Sequence, residues 1–574
     1  MRKQSLRFLT LTLIGILIYS CQNEIEDTPQ SELTLSEELA SESDGKIVLG
    51  EKLENPYSVK NMRLALESLK EKQKKSSKSY SAKTLKDDLD IQATDYYVKF
   101  WVENDEQKNL LLADSLNLSI IPLDVEIEQE GDYFVDENTE IEQAQWLYTS
   151  VVKDYQFHSD VAYEKIEDLF LIEESGPEEE EGDEGEDETT TTTIAGKSAI
   201  SKSFLYDLED EALRITDNWE EPEDEQDSQN GISARRSKRK PQGYIRVRNT
   251  VTGGNDPVLG VKVKTRRWFK WAKGWTNSQG FYRVNRGYRR SVRYTVVFKN
   301  TRGFKIWPST ISISSARYRA GKHSKYGHNI TFGTNSVGWR WSTVNNATVK
   351  YLDYCTRFGI GKPHSNLRIV ANGKSGGGAA PMLRRTWGWI GFRTNSDLIS
   401  FFSKTTISLP INALWLVTRF VLPDIIIKAN ASQGTDGVFE TTFHELGHAS
   451  HHKKVGSGYW VKYINYIITY GAYGDGHGHN SGYAGVGEMW GYYIGARLAE
   501  EEFGTTRFYV TLKDGWIPPI INRRVVNEAD YSIQDIYSSL NSHVNTIPKL
   551  NTEYNSRVGK NIPTVNQIFD DYGY

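Results

Sequence analysis

A chain of 574 residues is long enough for several domains, and 38% apolar residues with 32 Tyr and 15 Trp can bury sizeable cores, which excludes a wholly disordered protein. The net charge of −6 conceals a strong asymmetry along the chain, and two cysteines are too few for a disulfide framework.

Residues 1–20 read as an export signal: Arg2, Lys3 and Arg7 precede an apolar run, residues 8–18, too short to span a membrane comfortably. Ile18, Tyr19, Ser20 and Cys21 follow and resemble a bacterial lipobox. That resemblance implies a lipid-acylated Cys21 and an exported protein anchored to the cell envelope, at the outer membrane or cell surface. Ordinary secretion is the competing reading. With Cys21 modified, only Cys355 remains, so no intrachain disulfide is expected.

Residues 21–90 are polar and read as a flexible tether, with one helical pattern near 59–69. A small α+β domain is expected over 91–174, from strand patterns at 95–103 and 123–128 and a helical pattern at 109–117. It displays no chemistry. An acidic low-complexity linker, 175–240, follows; it includes EEEEGDEGEDETTTTT at 178–193 and EEPEDEQD at 220–227, and ends in the basic run ARRSKRK.

The sign of the charge then reverses. Residues 232–327 hold 25 Lys and Arg against one acidic residue, Asp256, and show short alternating strands at 243–249, 257–267, 280–285 and 293–300. The GVKV segment at 260–263 and the TNSQGFYRV hairpin at 276–284 resemble a carboxypeptidase-regulatory-like, prealbumin-type β-sandwich, which would cover 241–332. Such modules accompany a catalytic or transport domain. The segment RRWFKWAKGW, 266–275, alternates cations with rings and suits an anionic polysaccharide, nucleic acid or phospholipid headgroups. The duller readings are that the acidic linker neutralises these cations or that the rings are core. No nucleic-acid motif is present, and no nucleic-acid partner is expected.

Residues 333–574 form the last expected unit, with strands at 366–372 and 424–430, and the glycine-rich stretch 375–383 as a cleft edge or lid. The apolar stretch 408–423 is interrupted by Asn412 and Arg419 and reads as a core helix rather than a membrane span. Further helices are expected near 532–540 and 564–574.

The chemistry-bearing stretch is HELGH, residues 444–448. On a helix, residues four apart share a face, so His444 and His448 can offer two imidazoles to one Zn2+ while Glu445 stands beside them as a proton acceptor. Thr435 and Asp436 are N-cap candidates, and Val438, Phe443, Leu446 and Ala449 can face a core. His451 and His452 read as exposed. The longer HExxHxxGxxH pattern fails, because the chain has His451 and Lys454 where it needs Gly and His. Downstream, Glu488 stands among Val486, Met489, Trp490 and Ile494 in the apolar helical pattern 483–502, and a carboxylate in that setting needs a partner.

This order resembles the gluzincin metallopeptidases, in which HExxH on one helix is joined by a glutamate from a following helix. The resemblance implies His444, His448 and Glu488 as zinc ligands, Glu445 as general base, and a sheet edge that pairs with an extended peptide. The intervening segment departs from the thermolysin-like members. Its glycine-rich part, 470–483, carries Asp475, His477 and His479, which leaves a different third ligand open. His477 and His479 are candidate substrate or oxyanion contacts. Tyr492, four residues after Glu488, is a candidate donor to a ligand or to the oxyanion.

The resulting expectation is a multidomain chain: lipid-tethered arm, small α+β unit, β-sandwich, then an α+β zincin-like domain that hydrolyses peptide or protein substrates. The competing class is a non-catalytic surface-binding or adhesion lipoprotein that uses the basic sandwich to hold an anionic glycan or another envelope component.

Overall fold

The computed structural model describes residues 47–75, 90–103, 105–129, 134, 145–171, 191–194, 197–220, 238–309, 315–374, 376–386, 423–470, 474–505 and 515–574. The export signal with Cys21, the acidic residues 178–190 and 221–227, the start of the basic run at 234–237, and the apolar stretch 408–422 lie outside the described residues. The rest is an α+β assembly with several sheets. No helix among the described residues is long and apolar enough to cross a membrane.

Folded structure begins earlier than the composition suggests. β1 (Val48–Lys52) and α1 (Val59–Lys75) lie within the stretch expected to be a tether. β2 (Asp95–Val102) is followed by α2 (Asp105–Ala113), β3 (Val125–Gln129), β4 (Gln145–Val152) and β5 (Ala162–Leu169). β1 pairs with β3, and β2 is the centre of an antiparallel β4-β2-β5 sheet. After the small β6 (Thr191–Ile194) and β7 (Lys197–Ser201) hairpin comes α3 (Lys202–Ile215), inside the expected linker. Met62, Ala65 and Leu66 of α1 share a buried core with Leu205, Leu208 and Ala212 of α3. Both helices are rich in Lys and Glu, so average composition hides a one-sided apolar stripe that is enough to fold them.

The basic stretch forms β8 (Gln242–Arg248), β9 (Asn255–Pro257), β10 (Val261–Arg267), β11 (Lys270–Trp275), β12 (Phe281–Arg283), β13 (Val292–Asn300), β14 (Lys305–Trp307), β15 (Arg317–His323) and β16 (Ile330–Phe332). One sheet carries β12-β8-β16 with β9; the other contains β11-β10-β13 with β15. Ile245, Val247, Val263, Tyr282 and Tyr294 are buried between them in one core. The β10–β11 turn places Phe269 in the N-terminal core, where its ring meets Tyr97 with centroids 5.1 Å apart. Phe269 is therefore core rather than a surface gripping ring, and Trp268 packs beside it.

The sheet does not stop at residue 332. β14 pairs antiparallel with β13 and parallel with β17 (Arg368–Asn372), and the ladder continues to β18 (Gly378–Ala379) and β19 (Ile425–Lys428) in the order β17-β19-β18. One hydrophobic core runs from Ile245 to Phe569. The helices are α4 (Val337–Phe358), α5 (Leu383–Thr386), α6 (Gly434–Val455), α7 (Ser457–Tyr470), α8 (Ser481–Phe503), α9 (Ile520–Glu528), α10 (Ile533–Ser539), α11 (Ile547–Glu553) and α12 (Ile562–Asp570). α4 starts at the Ser336 cap and stops at Gly359, whose φ of 68° suits glycine.

Candidate metal centre

HELGH lies in α6, whose start is set by a short turn rather than by a cap at Thr435 or Asp436. Asn430 and Gln433 form a reciprocal capping box on the Ala431–Gln433 turn, and α6 follows directly. Thr435 is used elsewhere: its backbone N–H donates to Thr250 Oγ1 at 2.7 Å, and its hydroxyl accepts from the Thr250 N–H at 3.0 Å. Val438, Phe443, Leu446 and Ala449 are fully buried, as the helical pattern requires. The opposite stripe carries the histidines toward α8.

Three glycines allow α6 and α8 to approach closely: Gly491 and Gly495 on α8 and Gly447 facing them from α6. Gly487, one step earlier in the same four-residue spacing, instead makes room for Tyr463 of α7. A Cβ at 491 would lie 2.7 Å from Cε1 and 2.8 Å from Nε2 of His448, and 3.0 Å from Cε1 of His444. A Cβ at 447 would meet Ile494 at 2.5 Å, and the Trp490 indole N–H donates to the Gly447 carbonyl at 3.1 Å. No larger residue fits at 491 without moving the imidazoles.

That approach brings Glu488 to the histidines. His444 Nε2 and His448 Nε2 are 2.9 Å apart, and Glu488 Oε2 lies 3.3 Å from the first and 3.5 Å from the second. All three residues are buried. Donor atoms held at about 2.0–2.1 Å by a tetrahedral ion are separated by about 3.3–3.4 Å, so the two sides to Glu488 match a single metal ion and the side between the imidazoles is shorter. The donor types fit as well: two imidazoles and one carboxylate whose Oε2 makes no hydrogen bond among the described residues. Glu488 Oε1 accepts the Tyr463 hydroxyl from α7, which fixes the carboxylate's orientation. Burial pushes the Glu488 carboxyl upward, but the two imidazoles outweigh it and hold it well below the usual carboxylate range.

Glu445 completes the group. One ligand-type atom from each of His444, Glu445 and His448 lies within 4.8 Å of the others. Glu445 Oε2 is buried without a partner, and burial pushes its carboxyl up to about 8. β18 passes directly over it: a Cβ at Gly378 would stand 2.6 Å from Glu445 Cγ. Glycine at 378 therefore lets the strand reach the carboxylate. The segment read as a cleft edge thus forms β18 and ends in buried Met382 and Leu383. β18 is the last strand of its sheet among the described residues.

Tyr492 sits beside the site, its ring edge-on to His444 with centroids 4.7 Å apart, while the hydroxyl that reaches Glu488 belongs to Tyr463. Asp475, His477 and His479 are exposed. Asp475 accepts the His477 backbone N–H, and the His479 N–H donates to the Tyr470 hydroxyl; none of the three joins the metal-type cluster. His451 and His452, read as exposed, are buried at 0% and 2%. α7 folds back over α6 and covers them with Tyr459 and Trp460. Burial pushes both imidazoles down to about 3, so they stay neutral. Cys355 is a buried free thiol.

Tyr463 and Gly491 escaped the reading of the sequence. The signal that points to Gly491 is the four-residue glycine spacing around Glu488; Tyr463 has no comparable signal, because α7 meets Glu488 only through the fold. No protein-family model and no curated protein matches the chain.

Proposed function

We propose that the chain is a zinc-dependent metallopeptidase of gluzincin type, with His444, His448 and Glu488 as ligands and Glu445 as general base. The observation that carries this reading is the buried triangle of His444 Nε2, His448 Nε2 and Glu488 Oε2, with sides of 2.9, 3.3 and 3.5 Å. Three buried ligand-type atoms that converge this closely suit one shared cation, which would give Glu488 Oε2 a partner beyond the two imidazoles.

Zinc bound there supplies a Lewis acid that polarises a peptide carbonyl and acidifies water. Glu445 accepts a proton from the attacking water and returns it to the leaving amine. Its isolation from other partners leaves Oε2 available for that exchange. Tyr463 keeps Glu488 oriented, and Tyr492 is the oxyanion donor in this reading. An extended peptide pairs with the outer edge of β18, which puts its backbone across Glu445. The basic two-sheet module is the regulatory-like accessory, and Cys21 carries a lipid that holds the enzyme at the cell envelope.

The test is Glu445→Gln in the purified protein, assayed by zinc content and by hydrolysis of casein and a peptide library with and without chelator. The reading requires stoichiometric zinc and loss of hydrolysis by at least about 100-fold, the scale of general-base catalysis. Full hydrolysis in that variant removes the assignment.

A further inference from the structure

The outer face of the basic sheet forms a second candidate site. On β10, Val261, Val263 and Thr265 are buried, which turns Lys262, Lys264 and Arg266 to the opposite face. The ladder registers extend that alternation sideways. One row reads Trp275, Lys262, Val297 and Arg317 across β11, β10, β13 and β15. The next reads Lys273, Lys264, Thr295 and Arg319, and the third Trp271, Arg266, Arg293 and Lys322. Cations therefore recur about 6.8 Å apart along β10, and across strands about 4.8 Å apart in the third row, while Val297 and Thr295 interrupt the other two.

The N-terminal unit turns part of this face into a pocket. Leu118, Ile120, Ile121 and Ile127 form an apolar lip over Lys264, Arg266, Arg293, Arg317 and Arg319, around a cavity of about 70 Å³ that opens to solvent. No Asp or Glu among the described residues lines it. Beside it, Arg267 meets Glu220, Lys270 meets Glu209 at 2.7 Å, and Arg290 meets Asp210 at 2.8 Å. Acidic residues around α3 thus neutralise one side of the module, while Lys262, Lys264 and Arg317 have no carboxylate partner among the described residues.

Two features of the pocket favour a ligand that accepts hydrogen bonds and brings negative charge. The Trp271 indole N–H, which lines the pocket, is buried without an acceptor. Burial and neighbouring cations push Lys264 down to about 7, Lys262 to about 8 and Arg317 to about 10. A ligand with several anionic groups would relieve both.

We propose that this pocket binds an acidic oligosaccharide, a short run of sugars bearing carboxylate or sulfate groups. Guanidinium forks match such groups with paired hydrogen bonds. The apolar lip suits the apolar faces of sugar rings, and the Trp271 indole N–H can donate to a sugar hydroxyl or acid group. The inference does not depend on the metal centre.

The experiment is calorimetric titration of the full chain with a heparin-derived hexasaccharide and with oligogalacturonate, with neutral maltohexaose and the single-stranded oligonucleotide (dT)12 as comparators. Binding of at least one acidic glycan that weakens as salt rises, with no binding of maltohexaose, supports the proposal. The double variant Lys264→Gln/Arg317→Gln should weaken that binding at least about tenfold, the scale of one or two lost charge-assisted hydrogen bonds, without lowering the melting temperature. Trp271→Phe, which keeps the packing and removes the N–H, should weaken it a few-fold. Arg302→Gln, at the exposed pair with Asp353, should leave it unchanged. Binding of neither acidic glycan overturns the proposal. So do affinity unchanged in the double variant, loss of binding accompanied by a lower melting temperature, and (dT)12 binding as tightly as the glycans.

Discussion

Replacing Gly491 with alanine separates the contribution of helix approach from that of ligand identity. At an open helical position this exchange stabilises by about 0.5–1 kcal/mol, since alanine loses less backbone entropy. At 491 the new carbon would lie 2.7–3.0 Å from atoms of both imidazoles. Ordinary carbon contacts need about 3.5–4.0 Å, so the rings or the helix must move by about 0.5–1.3 Å. Overpacking of that kind costs about 1–3 kcal/mol, which leaves a net loss of roughly 0–2.5 kcal/mol once the helical gain is subtracted. The effect on metal should be larger, because donor positions tolerate only about 0.5 Å of error. Competition against a chromophoric chelator should show zinc affinity reduced at least about tenfold, with the melting temperature little changed in the absence of zinc. Gly458→Ala, where the added carbon meets nothing within 4 Å, serves as the control and should bind zinc as the parent does. Parental zinc affinity in Gly491→Ala would refute the reasoning.

Gly378→Ala should keep its zinc and lose about 100-fold in kcat/KM, because its Cβ would fall 2.6 Å from Glu445 Cγ and displace the base by the order of 1 Å; an unaltered rate would remove β18 from the site. Tyr463→Phe should weaken zinc binding by roughly 10–100-fold, the usual effect of losing a partner that orients a ligand, and equal affinity would show that its hydroxyl is dispensable. Glu209→Ala should lower global stability by about 3–5 kcal/mol in denaturant melts, since it strands Lys270 and Arg289 at the seam between α3 and the basic sheet. Burial raises the Glu209 carboxyl, but those two cations outweigh it and leave its pKa well below normal. Its contribution is thus complete above the unfolded value of about 4.3 and disappears as pH falls toward the folded one; a parent protein equally stable at pH 3 and 7 contradicts this.

What the sequence revealed follows from the range of the forces involved. The helix carrying His444 and His448 and the strands at β13 and β17 were legible because a periodic apolar pattern marks them locally. Glu488 was legible for a related reason, as an acid within the apolar stretch of its helix, well before the acidic cluster at 500–502. The cap of α6 was misread, since Asn430 and Gln433 act one turn earlier through a short helical turn whose pattern is too brief to register. α1 and α3 were hidden by their charge. His451 and His452 were assigned to solvent because nothing near them in sequence announces that α7 will fold back across them. The fate of Trp268 and Phe269 likewise depends on a distant partner, the core built around Tyr57 and Tyr97. Tertiary contact decides such positions, and one sequence does not display it.

The most direct test of the metal centre is anomalous diffraction at the zinc edge from crystals of the zinc-loaded protein. The account predicts one peak about 2.0–2.1 Å from Nε2 of His444, Nε2 of His448 and Oε2 of Glu488 together. A peak bound elsewhere, or one that leaves Glu488 outside coordinating distance, would contradict it.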